Sequence, residues 1–326
     1  MTPIGADAVT AITNRFVAPE VVDGVYTSNI LLARWYRGNK IMRQGGTQIE
    51  QPMIYRKGNN GGWYRGAERL TLAPQDNLKN FVFGWKQCQQ TVTIDGLTLL
   101  VTDSPEAIAN HIQLQMDQAK MDMMDDLAVG LFGGGGNVSG GDIKAIDGLG
   151  AAVDDGTDAA SYGGQLRSGQ PWTQAYVNTS STLTAYLMRQ VIGTATIGGN
   201  SPTIIVSRQE QYDRFWKILQ DKQQFQTQGG GSAFHDVNAG FTNLFCEGIP
   251  WFVDSHVSDG ANSSNSDILV LNERMFTLYV SPRGNLKIED WQTPVDMDAI
   301  TTKMLWAGNL VCKSPRTQAK LANITA

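Results

Sequence analysis

Asp103-Ser104-Pro105-Glu106 opens a run that meets no glycine before Gly130 and no further proline before Phe132. Asp103 or Ser104 can accept the free N–H groups of a first helical turn, Pro105 suits its first position, and Glu106 complements the positive end of the dipole. Ile108, Ile112, Met116, Ala119, Met123, Leu127 and Leu131 then recur at spacings of four and three, which makes one apolar stripe. About 28 residues rising about 1.5 Å each give a rod near ~40 Å, against an average helix of about 11 residues. A rod of that length needs a flat or extended body to lie on. It ends in Gly133-Gly134-Gly135-Gly136, more glycine than a cap requires. That run and Gly229–Gly231 are expected to be adjustable segments.

Upstream of the rod, Gln90–Val101 reads as a strand with a bend or turn at Asp95-Gly96. Before it, Thr47–Tyr55 and Asn80–Trp85 flank a glycine- and asparagine-rich middle, Gly58–Gly66, and predict a projecting hairpin. Arg56, Lys57, Arg65 and Arg69 stand there beside Trp63 and Tyr64. Basic residues among aromatics fit nucleic-acid stacking or a protein interface, and an acidic net charge favours the interface. In the first 35 residues Pro3, Pro19 and Gly24 break any long periodicity, while Phe16, Val17, Val21, Val22, Val25, Ile30, Leu31 and Leu32 make the segment greasy. It is either a buried part of its own domain or an arm lying on a neighbouring subunit.

Downstream, residues 137–172 read as loop with one packed patch, Ile146–Leu149. A helix is expected from about Thr173 to Val191, a strand at Pro202–Val206, a helix capped by Ser207 and running through Phe225, and a connector at Gln224–Ser232. Strands at Thr242–Cys246 and Ile249–Asp254 turn at Gly248, and a polar loop, Asp259–Ser266, precedes a strand at Asp267–Leu271. A β-ribbon is expected around Ser281–Gly284, then a long last strand, Ala299–Val311, and a tail, Lys313–Ala326. Helices and strands mix without a βαβ period, so the fold class is α+β.

The chain has 326 residues, a net charge of −5, 17% charged residues and 35 glycines, with 8 Trp, 9 Tyr and 11 Phe. The aromatics exclude a disordered chain, and the negative charge argues against a whole face gripping nucleic acid. Three cysteines argue against a secreted disulfide scaffold. MTPIGADAVT has no signal-peptide pattern, and no apolar stretch reaches about 18 residues. A soluble product of a reducing compartment is the expectation. His111, His235 and His256 lack metal-ligand spacing, and Cys88, Cys246 and Cys312 read as small buried thiols. No nucleophile elbow or phosphate-binding loop occurs. Asp125-Asp126 and Asp154-Asp155 read as solvated faces. The chain is therefore expected to be no enzyme, with no catalytic residue, metal or cofactor. A hydrolase or carbohydrate-binding site built from Trp63, Trp172 and Trp251 is the alternative from another class.

Beyond the capped rod, Cys246-Glu-Gly-Ile-Pro250 is followed by Arg283-Gly-Asn-Leu-Lys-Ile-Glu289. Trp291, Asp298, Trp306-Ala-Gly-Asn-Leu-Val311 and Ser314-Pro315 then complete the order. Taken together, the sequence resembles the tailed-bacteriophage major capsid proteins of the Hong Kong 97-type fold, which herpesvirus shells and encapsulins share. The resemblance implies an N-arm at 1–36, an extended loop at 37–85, and a peripheral domain at 86–150 completed by 293–315. An axial domain would take 151–292, completed by 316–326. It further implies hexamers and pentamers in an icosahedral virion shell assembled in the host cytoplasm. The expected partners are a portal protein, a separate scaffolding protein unless assembly proceeds without one (the stretch before the arm is too short for a scaffold extension), a decoration protein, and double-stranded DNA held weakly and without sequence specificity; no membrane is involved. Some relatives crosslink a loop lysine to an asparagine beside a glutamate. Lys57 and Asn309 would supply two parts here, but no glutamate follows Glu289, so no crosslink is expected. Within the same fold, an encapsulin-like compartment is the alternative.

Overall fold

One helix runs from Pro105 to Phe132 in the computed structural model of the chain, which describes residues 29–58, 60–69, 73–101, 105–138, 141–179, 181–220, 244–259 and 265–325. In chain order the helices are α1 (Ile30–Arg37), α2 (Gly96–Val101), α3 (Pro105–Phe132), α4 (Leu149–Ala152), α5 (Ala185–Ala195) and α6 (Gln209–Gln220). The strands are β1 (Ile41–Arg43), β2 (Ile49–Ile54), β3 (Leu78–Phe83), β4 (Lys86–Asp95), β5 (Ser161–Tyr162), β6 (Gln165–Leu166), β7 (Tyr176–Thr179) and β8 (Ile204–Ser207). They continue with β9 (Leu244–Cys246), β10 (Ile249–Val253), β11 (Ile268–Leu271), β12 (Phe276–Val280), β13 (Lys287–Ile288), β14 (Ala299–Cys312) and β15 (Ala319–Ala322).

The stripe of α3 does what its spacing predicts. Ile112, Met116, Ala119, Met123, Leu127 and Leu131 are buried, and Ile108 packs against the same core. The flat body is the sheet built on β14, which pairs antiparallel with β4 over ten residues from Ala299↔Asp95 to Gly308↔Lys86. On the other side of β14 lie β12 and then β13, end to end, with β1 added parallel to β12. The expected ribbon around Ser281–Gly284 does not form. Both segments pair with β14, and the residues between them bulge out, held by Ser281 N–H to Ala307 O and Ala307 N–H to Gly284 O.

A second sheet runs in the order β7-β15-β11-β8-β10-β9. Its central strands are buried on both faces, and their period of two divides the interior. Ile204, Val206, Leu269 and Leu271 join the core under α3, whereas Ile205, Ile268 and Val270 join a second core with α5 and α6. The tail supplies β15, a central strand. β9 and β10 join through Glu247 and Gly248, both at positive φ, as a two-residue hairpin turn requires.

Several expectations need correction. The strand expected to reach Val101 ends at Asp95. The Asp95 carboxylate accepts from the N–H and hydroxyl of Thr98, a local cap that turns the chain into α2. The helix expected over Thr173–Val191 is split: Tyr176–Thr179 adds parallel to β15, and Thr184 then caps α5 by accepting from Leu187 N–H. The β-branched Val177 and Thr179 beside an open strand edge outweigh the helical spacing. Ser207 ends β8 instead of capping α6; its hydroxyl donates to Arg208 O and accepts from the Trp251 indole. Asp154 is not solvated but fully buried against Arg167. Gly135 and Gly136 also have a local packing reason: a Cβ on Gly135 would meet Ile146 O at 2.6 Å, and one on Gly136 would meet the Ile143 Cα at 2.9 Å. Close approach explains these two glycines. The Asp103 and Ser104 caps, the arm before residue 29, the Gln224–Ser232 connector with Gly229–Gly231, and His235 lie outside the described residues.

Candidate intersubunit interface

The base of the β2–β3 hairpin is held by its own chain. Six register pairs, from Ile49↔Phe83 to Ile54↔Leu78, join the strands. Ile49, Phe81 and Phe83 are buried. Phe81 stacks on Trp172 at 5.5 Å, and both phenylalanines meet Tyr162 edge-on at 5.6 and 5.1 Å. Val82 N–H donates to Gly163 O at 2.9 Å, and Gly163, at φ +55°, leaves room that a Cβ would take from Phe81. Asn309 closes the base: its amide donates to Gly84 O at 2.9 Å and to Asp147 Oδ2 at 2.7 Å, and its oxygen accepts Asp147 N–H at 2.9 Å.

Beyond the base the hairpin turns outward. Tyr55 hydroxyl and Arg56 Nε both donate to Asp76 O, and the Arg56 guanidinium and Lys79 amine sit over the Tyr55 ring. Arg56 therefore works inside the hairpin although it is exposed. Residues 60–69 are exposed at every position, with Trp63 wholly so and Tyr64 at 66%. Arg65 N–H donates to Glu68 in the tip, and Lys57 and Arg69 are exposed. The structure thus brings Arg56, Lys57, Trp63, Tyr64, Arg65 and Arg69 to one projecting element. It adds Ile54 and Leu78, exposed outer residues of the two strands that sequence reasoning missed. Their signal was the alternation of β2 and β3, which turns Ile54 and Leu78 outward with Glu50 and Asn80 while Ile49, Phe81 and Phe83 face inward.

α1 behaves differently from an arm. Leu31, Leu32 and Trp35 are buried, Trp35 stacks on Phe276 at 5.6 Å, and Arg34 makes a bidentate pair with Glu273 at 2.8 and 2.7 Å. For residues 30–37, burial within the chain's own body is the reading that holds.

The other candidate chemistry is dispersed. Trp172 packs on the core under α3, Trp251 is buried in the second core against Phe215, and Trp63 stands in solvent, so the three tryptophans form no site. Burial pushes the thiols of Cys88 and Cys246 up to about 11 and that of Cys312 up to about 12. No His/Cys/Asp/Glu cluster suited to a metal occurs among the described residues, and no described helix is long and apolar enough to cross a membrane.

The family profile of the SU10 major capsid protein matches residues 88–325. No curated protein matches the sequence significantly. Among solved structures, the capsid of cyanophage A-1(L) is similar over 88% of this chain and 91% of its own, at 15% identity and a TM-score of 0.59. The capsid of a native GTA particle is similar over 87% and 88%, at 10% identity and 0.58. The SrpI encapsulin of Synechococcus elongatus PCC 7942 is similar over 87% and 84%, at 9% identity and 0.54. The fold is thus the Hong Kong 97-type fold that these three shells share, and the family match decides among them. The chain belongs to the SU10 major capsid protein family and is a shell-forming structural protein.

Proposed function

We propose that the subunits of this shell interlock through the β2–β3 hairpin, with Trp63 and Tyr64 as anchors and Lys57, Arg65 and Arg69 at the polar rim. One observation carries the reading: a tip exposed at every position from 60 to 69 stands on a base fixed by Phe81, Phe83 and Asn309. Exposed aromatic and basic residues on a rigid support are what an interface anchor needs. On this reading residues 1–36 are the N-arm, anchored to its own subunit by the buried Leu31, Leu32 and Trp35 of α1, and 37–85 the extended loop. The peripheral domain is 86–150 with 293–315, and the axial domain is 151–292 with 316–326. Two features support this division: β14 carries the sheet beneath α3, and the tail's β15 lies in the second sheet. Copies join as hexamers and pentamers in the host cytoplasm, with a portal protein, a scaffolding protein and a decoration protein as further partners. Double-stranded DNA inside meets an acidic protein that holds it weakly. Asn309 supports assembly without a covalent lysine–asparagine crosslink, because it is buried and its amide serves Gly84 and Asp147.

The test is the W63A/Y64A variant, examined by negative-stain microscopy and sedimentation. The expected result is free subunits with an unchanged melting temperature and no closed particles. Normal particle yield from the variant would overturn the assignment of the tip as an anchor.

A further inference from the structure

His256 follows β10 and stands between two carboxylates from different elements. Its Nε2 lies 2.9 Å from Asp125 Oδ1 on α3, and its Nδ1 lies 2.9 Å from Asp254 Oδ1 on its own loop, which also accepts the His256 N–H at 2.9 Å. The other oxygen of Asp254 accepts from the Asn29 side-chain amide, and Asn29 Oδ1 caps α1 by accepting from Leu31 N–H at 2.9 Å and Leu32 N–H at 3.3 Å. One polar chain therefore ties the middle of α3, the loop after β10 and the start of α1, the point where residues 1–28 join the described fold.

A neutral imidazole has one N–H and one lone pair. With a carboxylate oxygen facing each ring nitrogen, only the doubly protonated ring donates to both. We propose that His256 is a proton-operated clamp, closed as imidazolium, that fixes α1 to α3 and opens when the ring loses its second proton. The groups facing it are few. α3 contributes Asp125, the loop contributes Asp254, and α1 contributes the uncharged Asn29. Further along the loop, Asp259 pairs with Arg208, which lies between β8 and α6 and also donates to Val257 O. Burial lowers the histidine's affinity for its proton, but the hydrogen bonds and charges of Asp125 and Asp254 outweigh it and raise the pKa above the ordinary value.

The direction follows from linkage. The folded value is raised, so the clamp is fully present below the ordinary histidine value of about 6.5. It is lost as pH rises through the folded value, with the opening constant growing at most about tenfold per pH unit in between. Hydrogen exchange of the full-length protein, corrected for intrinsic rate and followed from pH 5.5 to 8.5, reads this directly. In the wild type, protection at residues 29–37 and 121–128 should fall as pH rises through that window. H256Q should lose the pH dependence and sit at the open level throughout, and D125N should shift the loss to lower pH with the fold intact. The clamp would be overturned by an H256Q profile that still follows pH as the wild type does, or by a D125N profile superposed on the wild type.

Discussion

Arg167 is the charged side chain whose loss the structure makes most costly. It is fully buried, and its Nη1 lies 3.4 Å from Asp154 Oδ2, itself buried. Nη1 also donates to the carbonyl of Asp154, Nη2 donates to those of Ala151 and Ala152, and the guanidinium lies 5.4 Å from the Tyr162 ring centroid. Asp154 Oδ2 in turn accepts the N–H groups of Gly156 at 2.8 Å and Ala159 at 2.9 Å. Arg167→Met keeps much of the packed volume but strands the carboxylate and the carbonyls at the end of α4. Removing one partner of a buried pair costs about 3–5 kcal/mol. With unfolding entropy of about 2.1 cal/mol/K per residue, that lowers the melting temperature of the free subunit by roughly 4–7 °C. Asp154→Asn keeps an acceptor for Gly156 and Ala159, so a D154N/R167M cycle isolates the pair, with an expected coupling of about 0.5–3 kcal/mol. Calorimetry of unassembled subunits is the assay. A melting temperature for R167M within about 1 °C of the wild type, or a strictly additive cycle, would refute the argument that this pair holds the 149–167 segment together.

Two further outcomes follow from local geometry. Gly148 sits at φ −75°, where alanine is comfortable, yet a Cβ there would lie 2.3–2.5 Å from the carbonyl oxygens of Gly130, Leu131 and Gly133. Gly148→Ala should therefore cost about 1–3 kcal/mol or more by overpacking, read as a lower melting temperature. Gly199→Ala, which would meet nothing within 4 Å, should be neutral to slightly stabilising on the same instrument. The raised thiol values predict that iodoacetamide at pH 8 labels Cys88 about 100-fold more slowly than an ordinary thiol, with Cys312 slower still. Mass spectrometry should find three labelled thiols per chain only after denaturation, and rapid native labelling of Cys312 would contradict its burial.

What was legible in the sequence follows from where local and tertiary forces agree. The α3 stripe, the hairpin, the β8 strand and the long β14 all carry a periodicity that survives packing, and their bounds match the reading closely. The failures occur where a partner distant in sequence decides. β7 exists because β15, far down the chain, offers an open edge to Tyr176–Thr179. The end of β4 is fixed where Gly96 N–H is taken up by the distant Asp298 O at 2.8 Å, beside the local Asp95–Thr98 cap. Arg167 and Asp154 look like surface residues in a glycine-rich loop, and nothing nearby signals that α4 will present its carbonyls to the guanidinium. The polar triad of Asp125, His256 and Asp254 was equally hidden, because Asp125 lies 131 residues from His256.

The hairpin shows why its candidate residues were readable while their supports were not. Exposed aromatics and arginines announce themselves by type, since few soluble surfaces place Trp63 and Tyr64 side by side without a partner. The supports are ordinary residues made special by position: Gly163 for a left-handed turn against Phe81, and Asn309 for a fork between Gly84 and Asp147. An element that gained all its contacts from neighbours would have no fixed direction in the free subunit and would lose conformational entropy on assembly. Here the base is already settled by its own chain, so under the proposed interlocking the tip would meet a neighbour without that cost for its base. Self-satisfied base and open tip are two halves of one physical arrangement, and the rigid half is what would let a short exposed sequence serve as the proposed anchor.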